Sequence, residues 1–195
     1  MIMDRPDRVP CRILLIGGSL RAGSTNMAVL RTAESVAPRG VTTRIYCGLS
    51  ELPAFNPDDD RDPLPPAAEH LRALLAETDA VLISTPEYAG SLPGSFKNLL
   101  DWTVGGGLSK KAVGYINASP TVDGAEAAHD TLRRVLGYVD AELVAGACVR
   151  VPVRRDAIGA DGIIRDPQLR AAIEDTLVAL ANHVAAQKHS SSDAD

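Results

Sequence analysis

Five short runs of apolar and β-branched residues alternate with five helical patterns along this chain, and that alternation points to a parallel sheet covered by helices on both faces. The runs are Arg12–Ile16, Val41–Tyr46, Ala80–Ser84, Lys111–Asn117 and Leu143–Val149. Arg12–Ile16 is an apolar run closed by Gly17 and Gly18, and Ala80–Ser84 is the most apolar of the five, as buried strands are. Val41–Tyr46 carries charge at Arg44 and suits a strand nearer a sheet edge. Helical spacing follows each run: Met27, Leu30, Ala33 and Ala37; then Ala68, Leu71, Leu75 and Thr78; then Phe96, Leu99, Leu100 and Thr103. Ala128, Leu132, Val135, Leu136 and Val139 mark a fourth helix, and Leu169, Ile173, Leu177, Leu180 and Val184 a fifth. Right-handed crossovers place such helices on both sides of one sheet. A single domain over 11–186 follows, with an N-terminal extension (1–10) and a polar tail (187–195) expected to be disordered. The stretch Pro53–Pro66, with five prolines, is a surface loop.

In a sheet of this kind, ligands sit beyond the carboxyl ends of the strands, where the strand order reverses. The loops there carry the functional information, because the fold by itself does not. The first, Gly17-Gly18-Ser19-Leu20-Arg21-Ala22-Gly23-Ser24-Thr25-Asn26, joins a strand to a helix start. Glycines let backbone amides approach a ligand, and a helix start offers unpaired N–H groups with a partial positive charge. Ser19, Ser24, Thr25 and Asn26 add short donors, and Arg21 adds a cation with forked geometry. That set suits a terminal phosphate monoester. The plainer reading makes Ser24, Thr25 and Asn26 helix caps and Arg21 a solvated side chain. A phosphate loop of the Lys-Ser/Thr type is excluded, since no lysine is present here, and Gly17, Gly18 and Gly23 lack the Gly-x-Gly-x-x-Gly spacing.

The loop after the third run is Thr85-Pro86-Glu87-Tyr88-Ala89-Gly90-Ser91-Leu92-Pro93-Gly94. Pro86 and Pro93 stiffen it, while Gly90 and Gly94 permit sharp turns. Amides of Glu87, Tyr88 and Ala89, held still, could recognise the edge of a planar heterocycle, and Tyr88 offers an aromatic face. An ordinary turn-rich connection with Tyr88 packed on the surface accounts for the same residues equally well.

Taken together, Gly-Ser-Leu-Arg-Ala-Gly-Ser-Thr-Asn at 18–26, Pro-Glu-Tyr at 86–88 and Ser-Leu-Pro-Gly-Ser-Phe-Lys-Asn-Leu-Leu-Asp-Trp at 91–102 resemble the NADPH-dependent FMN reductase family. The resemblance spans roughly 11–185 and keeps the order and spacing of all three segments. It implies a flavodoxin-like three-layer α/β sandwich with a five-stranded parallel sheet in the order 2-1-3-4-5. It implies FMN and NADPH (or NADH) as cofactors, with electrons passing to quinones, chromate, azo compounds or free flavin. By the same resemblance, Ser19, Arg21, Ser24 and Asn26 hold the FMN phosphate, and Pro86, Glu87, Tyr88 and Ala89 line the ring; Thr25 and Gly90, in the same two loops, complete the expected cofactor-binding set. Ser119 borders the ring's other side. Family members usually have Asn where this chain has Ala89, and the loop Ser119–Gly124 is poorer in glycine than usual. Lys97, Asn98, Asp101 and Trp102 fall where the family makes subunit contacts, so a homodimer or homotetramer is expected. An ordinary Lys97–Asp101 ion pair beside a core tryptophan is the competing account.

No side chain is required as catalytic acid or base, because the flavin performs the hydride chemistry. A flavodoxin-like electron carrier without reductase activity is the main rival, and Arg21 with a net charge of −5 speaks against it. That charge also disfavours nucleic acid as a partner. His70, His129, His183 and His189 have no metal-ligand spacing and read as solvated or capping residues. The widely spaced Cys11, Cys47 and Cys148 suggest reduced thiols in the cytoplasm. The longest apolar runs are far short of the about 20 residues a membrane span needs.

Overall fold

A computed structural model describes residues 10–21, 23–105, 107–121 and 123–192. The expected N-terminal extension lies outside them apart from Pro10, as do residues 193–195 of the expected tail. Five strands form one parallel sheet: β1 (Cys11–Gly17), β2 (Val41–Tyr46), β3 (Ala80–Ser84), β4 (Ala112–Asn117) and β5 (Glu142–Arg150). Their order is β2-β1-β3-β4-β5, with every pairing parallel. The order reverses between β1 and β3, which are directly paired over Ile13–Gly17 and Ala80–Ser84. β3 is buried at every position, whereas β2, on the edge, alternates between exposed and partly buried residues along most of its length.

The helices are α1 (Thr25–Ser35), α2 (Pro66–Glu77), α3 (Gly94–Asp101), α4 (Glu126–Tyr138) and α5 (Pro167–Ser192). Leu30 and Ala33 of α1 pack with Ile173, Leu177 and Leu180 of α5 on one face of the sheet. Leu71 and Leu75 of α2, Phe96 and Leu99 of α3, and Leu132 and Leu136 of α4 cover the other. The three-layer flavodoxin-like arrangement follows directly. Pro66 opens α2 as its first residue, where a missing N–H costs nothing.

Two glycines are demanded by close approach. A Cβ on Gly114 would lie 2.7 Å from the Ala147 Cβ and 2.8 Å from its carbonyl oxygen, at the register shift between β4 and β5. A Cβ on Gly18 would lie 2.5 Å from the Thr85 Cβ and 3.0 Å from its Cα. Gly18 also donates its N–H to the Ser84 carbonyl at 2.9 Å. The loops leaving β1 and β3 therefore meet at Gly18, whose N–H bonds the Ser84 carbonyl and whose α-carbon lies against Thr85.

The expected disorder of the 187–195 tail is corrected over 187–192, where α5 continues to Ser192. Side chains of this last part meet the bottom of the sheet: Gln187 Nε2 donates to Glu142 at 2.5 Å, and Lys188 Nζ lies 2.9 Å from Asp79 Oδ1. A helix already nucleated and packed extends cheaply when such partners await it. Trp102 is fully buried, and its indole N–H donates to the Pro53 carbonyl at 2.9 Å. Asn98 donates to the same carbonyl at 2.8 Å and accepts the Phe55 N–H at 2.8 Å. Both residues fasten the Pro53–Pro66 loop to the end of α3, Trp102 from the core and Asn98 from a partly exposed position. Lys97 and Asp101 form the simple ion pair, at 2.6 Å.

Candidate functional site

The carboxyl ends of the strands frame a cleft of about 280 Å³, formed by four chain segments. The β1 loop contributes Ser19, Arg21, Ser24, Thr25 and Asn26. Ser24 caps α1 by accepting the Met27 N–H at 3.1 Å, so the plainer reading holds for this residue alongside its place on the cleft. Ser19 Oγ accepts the Arg21 N–H at 3.2 Å and steadies the bend of the loop. The Arg21 guanidinium has no partner in the chain among the described residues. Asn26 is nearly buried, and its Oδ1 receives the Ser84 hydroxyl at 2.9 Å, which leaves its amide N–H groups for the cleft. This end is rich in donors, cationic, and backed by a helix N-terminus.

The β3 loop contributes Thr85, Pro86, Glu87 and Tyr88. Tyr88 and Ser91 exchange backbone hydrogen bonds at 2.9 and 3.1 Å around a two-residue turn. That turn is Ala89-Gly90, with φ of 51° and 72°. Positive φ at both positions makes a tight hairpin at the cleft's β3 loop. The Tyr88 amide is already engaged within the hairpin, and Ala89 and Gly90 form its tip. The Tyr88 side chain stays about half exposed, at the cleft. Left-handed backbone also explains why asparagine would sit comfortably at position 89.

Glu87 has a structural task beyond lining the cleft. Its Oε2 accepts the Ala128 N–H at 3.1 Å, in the first turn of α4. The residue before α4, Ala125, has φ of 62° and no capping side chain, so the cap comes from the β3 loop. Ser119 is on the cleft as expected, and Asn117 holds its loop by accepting the Ser119 N–H at 3.0 Å and donating to the Gly124 carbonyl at 2.9 Å. Arg150 donates to the carbonyls of Ser119, at 3.2 Å, and Thr121.

Thr85, Ala118, Pro120, Ala125 and Arg155 also line the cleft and were not expected from sequence. The first four adjoin expected segments, whereas Arg155 comes from the exit of β5, which shows no motif. His129 departs from its expected solvated role. It is buried with its ring 5.0 Å from that of Tyr115, and its Nδ1 lies 2.7 Å from the Ala125 carbonyl. Burial, the main cause, holds its pKa below the ordinary histidine value, against the opposing effect of that carbonyl. No cluster of His, Cys, Asp or Glu that could hold a metal occurs among the described residues.

A cleft with a donor-rich cationic end and a proline- and tyrosine-lined end, across the switch point, fits a phosphorylated planar cofactor. The model of the NADPH-dependent FMN reductase family matches residues 11–154. The chain belongs to that family. Its cofactors are therefore FMN and NAD(P)H, and it is an oxidoreductase. An NAD(P)H-dependent FMN reductase of Pseudomonas aeruginosa is 33% identical over 172 residues, covering 87% of this chain and 92% of the relative. A quinone reductase of Escherichia coli is 31% identical over 134 residues, covering 67% of this chain and 71% of the relative. The flavoenzyme NAD(P)H:(acceptor) oxidoreductase of Paracoccus denitrificans superposes with a TM-score of 0.74 at 26% identity, covering 89% of this chain and 98% of that one. No helix among the described residues is long and apolar enough to cross a membrane.

Proposed function

We propose that this FMN reductase family member takes reducing equivalents from NAD(P)H and delivers them to quinones or similar small acceptors. The observation that carries the reading is the joining of a phosphate-binding end and a flat, aromatic end in one cleft at the β1/β3 switch. Ser19, Arg21, Ser24, Thr25 and Asn26 would hold the phosphate, while Pro86, Glu87, Tyr88 and Ser119 would border the ring. FMN, when bound, supplies the hydride-accepting chemistry. The chain's own part is to orient it, to keep the β1 and β3 loops in fixed contact through Gly18, and to leave one side open for two substrates in turn. Quinones are favoured as acceptors by the relative named as a quinone reductase. Chromate, azo compounds and free flavin share the requirement for access to the exposed face.

The rival is an electron carrier that NAD(P)H does not reduce. Two guanidiniums on the cleft, Arg21 and Arg155, have no partner among the described residues and make it the weaker reading, because a small carrier binding through hydroxyl donors alone would need neither. Steady-state oxidation of NADPH by the FMN-loaded protein with a benzoquinone acceptor tests the proposal. Parallel double-reciprocal lines are expected, since both substrates use one cleft in turn. No quinone-dependent oxidation above the rate with FMN alone would contradict it.

The three free thiols support a reducing compartment such as the cytoplasm. The homodimer or homotetramer implied by the family resemblance is part of this proposal. Light scattering during gel filtration would read the mass, and a monomer at micromolar concentration would refute the assembly.

A further inference from the structure

Arg155 stands on the cleft as a cation without a hydrogen-bond or ion-pair partner among the described residues. Its neighbour Arg154 reaches Asp156 at 3.3 and 3.5 Å, whereas the Arg155 guanidinium meets no hydrogen-bond or ion-pair partner among the described residues. The backbone holds it in place. Beyond β5, Val151 donates to the Asn117 carbonyl at 2.9 Å and Val153 to the Ala118 carbonyl at 3.2 Å, so pairing with the β4 side continues to the cleft edge. Both valines are buried. The 3-10 turn Arg155–Ala157 follows at once and is clamped from the other side, where Arg165 donates to the Ala157 carbonyl at 3.0 Å and Ile158 bridges Ile164.

Charge balance gives this placement a purpose. A phosphate monoester carries about −1.5 to −2 at neutral pH. Arg21 offsets one charge, and the N-terminus of α1 roughly half of another. Glu87, the acidic residue on the cleft, is directed by its hydrogen bond towards the start of α4. A dianionic phosphate would therefore remain under-neutralised without a further cation. We propose that Arg155 is a second phosphate-binding guanidinium, brought from the β5 exit to join Arg21 from the β1 exit. The pair makes the cleft select phosphorylated flavin over its dephosphorylated form. This rests on the reading that FMN occupies the cleft.

Dissociation constants for FMN and for riboflavin, read by quenching of flavin fluorescence, test it in the wild type, Arg155→Gln and Arg21→Gln. Arg155→Gln should raise the FMN constant about tenfold, the size expected for losing one charge-assisted contact, and leave the riboflavin constant within about twofold. The thermal midpoint should not move, because the side chain is exposed and makes no hydrogen bond or ion pair among the described residues. An FMN constant unchanged in Arg155→Gln but raised in Arg21→Gln would overturn the proposal while leaving the FMN reading intact. An unchanged FMN constant with a raised KM for NADPH would also overturn it, assigning the guanidinium to the second substrate. A wild type that binds FMN no more tightly than riboflavin would overturn both the proposal and the phosphate assignment of the whole cleft.

Discussion

The Glu87 carboxylate accepts the backbone N–H of Ala128 at 3.1 Å, so a residue of the cleft's β3 loop caps the helix that follows β4. Helix α4 lacks a local cap because Ala125 offers no side-chain oxygen and sits at φ 62°. One contact therefore ties two cleft walls together. Glu87→Ala should lower stability by about 1 kcal/mol, the usual size of a lost cap. In a chain of this length that is a fall of about 2–4 °C in thermal midpoint. Glu87→Gln keeps an acceptor oxygen and should recover most of the loss, apart from the smaller share due to charge against the helix end. Thermal unfolding without flavin reads both. Equal losses in the two variants would contradict the capping role.

Gly18 touches Thr85 so closely that a methyl group has no room. Gly18→Ala should push the β1 and β3 loops apart, cost about 1–3 kcal/mol, and weaken FMN binding at least tenfold. Calorimetric titration with FMN measures the second effect. Unchanged affinity would mean that the contact between the loops does not organise the cleft.

Ala89 occupies left-handed backbone in the two-residue turn at the tip of the β3-loop hairpin. That conformation costs a residue with a Cβ about 1–2 kcal/mol, and asparagine bears it better than alanine. Ala89→Asn should raise stability by about 0.5–1 kcal/mol and leave FMN affinity unchanged. Denaturant unfolding with and without flavin would show it, and a lower midpoint would contradict the assignment.

His129 gives a pH dependence with a defined sign. Burial chiefly, with Arg133 adding to it, disfavours its charged form more than the Ala125 carbonyl, Glu87 and Asp130 favour it, so its folded pKa lies below 6.5. The unfolded chain then takes up the proton first as the pH falls. This contribution to stability is whole above about pH 6.5 and is lost as the pH drops through that value. Between about pH 7.5 and 5.5 the wild type should lose more stability than His129→Phe, which keeps the ring on Tyr115 but cannot titrate. Parallel pH curves would refute it.

The sheet was legible because β1 and β3 are too apolar to be anything but buried strands, and because their loops break with glycine and proline. The phosphate end of the cleft was legible for a related reason: its donors are contiguous in sequence, from Ser19 to Asn26. Arg155 was not, since it reaches the cleft only through the backbone pairing of Val151 and Val153 with the residues that end β4. The tight turn at Ala89-Gly90 was not legible, because turn type depends on dihedral angles that alanine does not advertise. His129 looked polar on a helix, yet its helix face packs against Tyr115. Gln187 and Lys188 looked like tail, and their partners, Glu142 and Asp79, are far away in sequence.

The proposed function requires that the cleft hold FMN and that a nicotinamide reduce it there. The most direct test is the visible spectrum of the protein after loading with FMN and removing the excess, recorded again after adding NADPH, and separately NADH, without oxygen. A retained flavin band that bleaches with at least one of the two is the predicted result. A retained band that neither nicotinamide bleaches would contradict the reductase reading and favour the electron carrier.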